Sequence, residues 1–156
     1  MFVEKSRTGD LENFTNHNFI TKFLHNNKYN LLKKLISQNF QNEFTVLDIG
    51  SGLSEFYRKF NHLYKFDYLG IEKNKKFFDI CNEKLSSNKN YKIICTDVEE
   101  IINELNGRDL ILCLDILEHV NFELREKIIK KISELNFKKF FINVPNEFGP
   151  AIFIKN

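Results

Sequence analysis

Four short stretches of this sequence bring glycine or acidic residues to places where apolar runs stop. Val46-Leu47-Asp48-Ile49-Gly50-Ser51-Gly52 ends a β-rich run in a glycine turn, where the backbone can approach a ligand and a following helix offers free N–H groups. Glu72, with Lys73 beside it, stands 20 positions beyond Gly52, a separation at which an acidic side chain can accept hydrogen bonds from both hydroxyls of a ribose. Asp97, in Thr96-Asp97-Val98, is placed to accept from an exocyclic amine while a neighbouring N–H meets a ring nitrogen, which would read adenine. Two sites thus point to a nucleoside and a third to its base.

The fourth stretch is Asp115-Ile116-Leu117-Glu118-His119. At i, i+3 and i+4 of a helix start, two carboxylates and an imidazole share one face, a set able to ligate a divalent cation. The structural reading is preferred, and no metal is assigned. Alternatively His119 is a general base toward a substrate hydroxyl, since imidazole titrates near neutral pH; a histidine bonding backbone at a helix start is the competing reading. His17, His25 and His62 lie in polar surroundings without partners at ligand spacing and are read as solvated.

The elements that must position these residues alternate along the chain. Apolar spacing across Asn18 to Asn39 predicts two short helices separated by a polar break at His25 to Asn27. Five apolar runs read as strands: Thr45–Ile49, Tyr68–Ile71, Tyr91–Cys95, Asp109–Leu114 and Lys139–Val144, the last ending at Pro145. Between them lie helical patterns: Phe56, Phe60 and Leu63 behind a Ser54 cap; Phe77, Phe78, Cys81 and Leu85 behind an Asn74 cap; Val98, Ile101, Ile102 and Leu105; and Leu124, Ile128, Ile132 and Leu135. Such alternation predicts an α/β fold, a doubly wound and mainly parallel sheet with helices on both faces and a ligand crevice at the carboxyl ends of the strands.

In order and spacing, Val-Leu-Asp-Ile-Gly-Ser-Gly, Gly-Ile-Glu, Thr-Asp and Leu-Cys-Leu-Asp-Ile-Leu-Glu-His-Val resemble the class I, Rossmann-like S-adenosylmethionine-dependent methyltransferases over roughly Asn42 to Pro150. The resemblance is strongest to the branch that methylates quinones, metabolites and sugars. It implies strand order 3-2-1-4-5 and S-adenosylmethionine as cofactor, with S-adenosylhomocysteine as product. It places Asp48, Gly50 and Gly52 at the methionine part, Glu72 at the ribose, Asp97 and Val98 at the adenine, and Leu114 and Asp115 on the cofactor's other side, with Ser51 and Lys73 also among the cofactor-binding residues. His119 and Asp115 are the catalytic candidates. The family's third glycine is replaced by Ser54. A nicotinamide-binding turn is disfavoured, because its last glycine would fall at Glu55, whose carboxylate repels a pyrophosphate.

The implied activity is methyl transfer to a hydroxyl of a small molecule or glycan. The alternative is a non-catalytic or partner-dependent cofactor-binding module, in which a homodimer or partner subunit covers the strand-five edge and the Phe148–Ile154 tail. The antiparallel strands that close the sheet in such relatives have no counterpart before Asn156. The expected organisation is a single domain over 1–156, with an N-terminal helical cap (1–41), a core (42–150) and a tail (151–156). Phe19 and Phe23 are candidates for covering the cofactor, with core packing the simpler reading.

With 23 basic and 21 acidic residues scattered along the chain, the net charge of +2 provides no concentrated field for nucleic acid or anionic lipid. No apolar stretch reads as a membrane span or signal peptide. Cys81, Cys95 and Cys113 each fall in an apolar run and are read as reduced core thiols, which favours the cytoplasm.

Overall fold

The computed structural model describes residues 19–143, with side chains from residue 27 onward. Backbone contacts separate the chain after Gln38 into two compact units. In the first, helix α1 (Phe19–Asn39) runs without interruption where two helices were expected. His25, Asn26 and Asn27 cost a helix only tenths of a kcal/mol each, and with no glycine or proline between them nothing stops the backbone. The side chains of Phe19, Phe23 and His25, and all of His17, Pro145 and the Phe148–Ile154 tail, lie outside the described residues.

The second unit is a five-stranded parallel sheet in the order β3-β2-β1-β4-β5. Its strands are β1 (Phe44–Ile49), β2 (Phe66–Glu72), β3 (Tyr91–Cys95), β4 (Leu110–Leu114) and β5 (Lys139–Asn143). The helices are α2 (Glu55–Phe60), α3 (Lys75–Leu85), α4 (Val98–Ile101, continued by a 3₁₀ turn to Glu104) and α5 (Phe122–Glu134). This is the Rossmann-like order expected from the sequence. The central strand β4 is apolar on both faces, and β1 is too apart from Thr45 and Asp48, because helices cover both. Leu47, Ile49, Ile111, Cys113 and Ile142 of the sheet meet Val98, Ile102, Leu124, Ile128 and Ile132 of α4 and α5 in one cluster.

Local chemistry explains most helix starts. Asn74 accepts from the N–H groups of Lys76 and Phe77, Asp97 from Glu99, and Asn121 from Leu124 at 2.8 Å. Ser54 departs from expectation: it precedes α2 in a left-handed conformation and makes no capping bond. Leu63 also departs, since α2 ends at Phe60 and leaves that side chain 48% exposed. Cys81 and Cys113 are buried thiols as expected, whereas Cys95 is exposed at the end of β3. His62 is exposed. Among the described residues no helix is long and apolar enough to cross a membrane.

At the amino ends of the strands, Asp109 pins β1 to β4. Its Oδ2 accepts from the Thr45 N–H at 2.9 Å and the Thr45 hydroxyl at 3.0 Å, and Lys138 Nζ lies 2.9 Å from Oδ1. Partial burial opposes the charge, but the Lys138 and Thr45 donors outweigh it and hold the carboxyl below its ordinary value. A depressed carboxyl stabilises above its unfolded pKa, and that contribution disappears as pH falls through the folded pKa. Asp109→Asn is therefore expected to be less stable than the parent near pH 6, with the gap closing below about pH 4. Urea titrations across that range check it, and a pH-independent gap would mean that the ionised form is not what holds the pin.

Candidate functional site

The glycine turn after β1 is held by backbone bonds to β2: the N–H groups of Gly50 and Ser51 both donate to the Ile71 carbonyl at 2.9 Å. Gly50 (φ +72°) and Gly52 (φ +55°) adopt the left-handed region that glycine tolerates. At Gly50 a side chain is also barred by packing, since a Cβ would lie 2.6 Å from Ile116 Cδ1 in the loop after β4. At Gly52 a Cβ would meet nothing within 4 Å, so this part of the turn faces open space. Ser51 Oγ is buried with no hydrogen-bond partner and packs so close to Gly70 that a Cβ there would sit 2.8 Å from it.

Glu72, at the end of β2, is buried. Its Oε2 accepts from the Gly52 N–H and its Oε1 from the Asn74 N–H, both at 2.7 Å. One carboxylate thus joins the turn after β1 to the loop after β2. With one N–H on each oxygen, each retains a lone pair for a further donor. Asp48 is buried beneath the turn and accepts the Tyr68 hydroxyl at 2.7 Å. Burial, reinforced by the Asp48 charge, pushes the Tyr68 hydroxyl well above its ordinary pKa and keeps it a donor.

After β3 the Thr96 N–H donates to the Glu72 carbonyl at 3.2 Å, which brings Asp97 alongside the Glu72 loop. Asp97 Oδ1 accepts from the Glu99 N–H, and Lys73 Nζ stands 3.5 Å from its Oδ2, the Lys73 side chain exposed and that of Asp97 partly so. Lys73 is therefore placed at Asp97. The Val98 side chain is buried in the core.

After β4 the backbone turns sharply at Asp115, whose φ of +54° is a strained conformation for a residue with a Cβ. Asn143, at the end of β5, fixes it: the Asn143 side-chain amide donates to Asp115 Oδ1, and the Asp115 N–H donates to the Asn143 carbonyl at 3.3 Å. Leu114 is the register partner of Asn143. Leu117–His119 is a 3₁₀ turn rather than a helix start. The shared face expected for Asp115, Glu118 and His119 therefore does not form, and among the described residues no group of three or more His, Cys, Asp or Glu stands at metal-binding separation. Glu118 turns one oxygen inward without a hydrogen-bond partner, its other oxygen 3.8 Å from His119 Nε2. The His119 side chain is 74% exposed.

Asp48, Gly50, Ser51, Gly52, Glu72 and Asp97 thus gather at the carboxyl ends of β1 to β3, while Leu114 ends β4 and Asp115 and His119 follow it. Sequence reasoning missed Tyr68, Asn143 and Arg125, whose Nε holds the 3₁₀ turn through the Leu117 carbonyl at 3.1 Å. Asn143 was findable, being a polar residue that ends a strand at this edge.

A profile of the methyltransferase domain family matches residues 46–136, more than half the chain. The chain belongs to the methyltransferase domain family. It is 31% identical over 153 residues to the uncharacterized protein MJ0638 of Methanocaldococcus jannaschii, covering 94% of this chain and 60% of that protein. Among solved structures it resembles magnesium protoporphyrin IX methyltransferase from Synechocystis, crystallised with bound S-adenosylmethionine (TM-score 0.66, 16% identity, 85% of this chain and 66% of that one). It also resembles a SAM-dependent methyltransferase from Archaeoglobus fulgidus (TM-score 0.60, 19% identity, 83% of this chain and 60% of that one). The chain thus spans about three fifths of the length of its relative in M. jannaschii. The residues present suit the family's cofactor: an adenosine-bearing ligand needs open space at the turn and paired acceptors for hydroxyls, and Gly52 and Glu72 supply them.

If Glu72 braces both loops, Glu72→Gln turns one amide N–H toward a backbone N–H and breaks a charge-assisted bond. The expected loss is about 2 kcal/mol of unfolding free energy in urea. A loss below about 0.5 kcal/mol, the range of an uninvolved surface residue, would contradict the brace.

Proposed function

We propose that this chain is an S-adenosylmethionine-dependent methyltransferase acting on a hydroxyl of a small molecule or glycan. The observation that carries the cofactor reading is the Glu72 carboxylate, seated between the Gly52 and Asn74 N–H groups with an acceptor position left on each oxygen. In this reading Glu72 takes the ribose hydroxyls. Asp48, Gly50, Ser51 and Gly52 hold the methionine end, Asp97 and the Val98 backbone read the adenine with Lys73 beside them, and Leu114 lines the opposite wall. The bound cofactor supplies a methyl group activated on a sulfonium centre.

What remains for the protein is alignment of the acceptor oxygen with that methyl group and removal of the acceptor's proton. Asp115 and His119 are the groups proposed for this step. The Asp115 carboxylate is oriented by Asn143 on the β4–β5 edge. His119 presents an exposed imidazole from the neighbouring turn, able to take a proton at its ring nitrogen and pass it to solvent. The hydroxyl acceptor class is supported by the resemblance of Leu-Glu-His-Val and Val-Pro-Asn-Glu to methyltransferases of metabolites, quinones and sugars. β5 is one of the two edge strands of the described sheet, and we place a second copy or a partner subunit there; molecular mass in solution tests it.

Calorimetry with S-adenosylhomocysteine is the direct test of the cofactor site. Glu72→Ala and Asp97→Ala are each expected to weaken binding about tenfold or more, since each removes charge-assisted hydrogen bonds. Unchanged affinity in both variants would overturn the assignment. Transfer of labelled methyl groups to a pool of small-molecule and glycan hydroxyls tests the activity, and binding without transfer would favour a cofactor-binding module.

A further inference from the structure

Ser54 is fully buried and left-handed, at φ 51° and ψ 43°, where a side chain is disfavoured and glycine is not. Its N–H donates back to the Ser51 carbonyl at 2.8 Å, and its own carbonyl accepts the first helical bond of α2, from the Arg58 N–H at 3.0 Å. The residue that closes the glycine turn and opens α2 is therefore a strained one. Its hydroxyl lies 2.7 Å from the hydroxyl of Tyr91, 37 residues away on β3.

Tyr91 is itself well fixed. Its ring stacks on Tyr68 at 5.4 Å and 8°, and packs against Tyr57 at 4.7 Å. Burial raises the pKa of its hydroxyl, which keeps it protonated and able to donate or accept. The start of the turn is held by the Gly50 and Ser51 N–H groups on the Ile71 carbonyl, and its later part by the bond from Gly52 to Glu72, by Arg58 Nε on the Leu53 carbonyl at 3.0 Å and, weakly, by the Cys81 thiol 3.8 Å from the Gly52 carbonyl.

We propose that the Ser54–Tyr91 hydroxyl pair is a catch that holds the glycine turn in its ligand-receiving shape, which makes Tyr91 a positioning residue for the cofactor. The cofactor part rests on the function proposed above; the catch itself does not. The pair anchors the turn to β3, the strand from whose end Asp97 projects, so the two ends of an adenosine-bearing ligand meet loops referred to one strand.

Two readouts separate the catch from the cofactor reading: amide hydrogen exchange at Gly52 and Ser54 in the ligand-free protein, and affinity for S-adenosylhomocysteine by calorimetry. Tyr91→Phe keeps the ring and removes the hydroxyl. It is expected to speed exchange at both amides and to raise the dissociation constant, each about fivefold, the worth of one neutral hydrogen bond. Ser54→Ala, which keeps the strain and loses the catch, should behave alike. Ser54→Gly relieves the strain and should stay within about twofold of the parent in both readouts, alone or combined with Tyr91→Phe. The catch is overturned if Tyr91→Phe and Ser54→Ala leave exchange unchanged, or if Ser54→Gly fails to restore it in the Tyr91→Phe background. Lower thermal stability with normal exchange and affinity would reduce the pair to ordinary packing. Should the parent bind no S-adenosylhomocysteine while exchange responds as described, the catch stands and the cofactor reading falls.

Discussion

A single carboxylate organises the crevice. Glu72 accepts backbone N–H groups from the turn after β1 and from the loop after β2, and the peptide that carries it accepts the Thr96 N–H at the end of β3. Three strand ends are therefore referred to one residue. Parallel pairing makes this possible, because it brings all five carboxyl ends to one edge, with Glu72 in register with Cys95 and Asp48 with Gly70. A buried carboxylate is tolerable there because both oxygens have donors.

The two edges of the sheet solve different problems. At the amino edge the polar groups satisfy each other: Asp109, Thr45 and Lys138 form a closed set that joins β1, β4 and the start of β5. At the carboxyl edge the structure accepts costs instead, with left-handed backbone at Ser54 and Asp115 and inward oxygens at Ser51 and Glu118 that have no hydrogen-bond partner. Strain of this kind persists only where surrounding contacts determine it. Tyr91 at Ser54 and Asn143 at Asp115 are those contacts.

Strand order and the acidic and glycine positions were legible because each signal is local: an apolar run, then a residue type at its end. The relation between such signals was not. Nothing near Tyr91 announces a bond to Ser54, and the Asn143–Asp115 clamp joins positions 28 residues apart. The expected Ser54 cap failed because the backbone is left-handed there and the hydroxyl had a better partner on β3. The expected acidic and imidazole face failed because helical spacing does not run through Asp115, whose backbone is left-handed and is followed by a 3₁₀ turn. In α1 a polar triplet was given the weight of a helix breaker, which only glycine or proline carries.

The distribution of thiols has a practical consequence. Cys95 is exposed at the last position of β3, two residues before Asp97, whereas Cys81 and Cys113 are buried and their burial suppresses the thiolate. A thiol-directed dye will therefore attach at one address in the untouched protein, on the rim of the crevice. Occupancy of the crevice becomes readable as fluorescence without engineering a cysteine in or out.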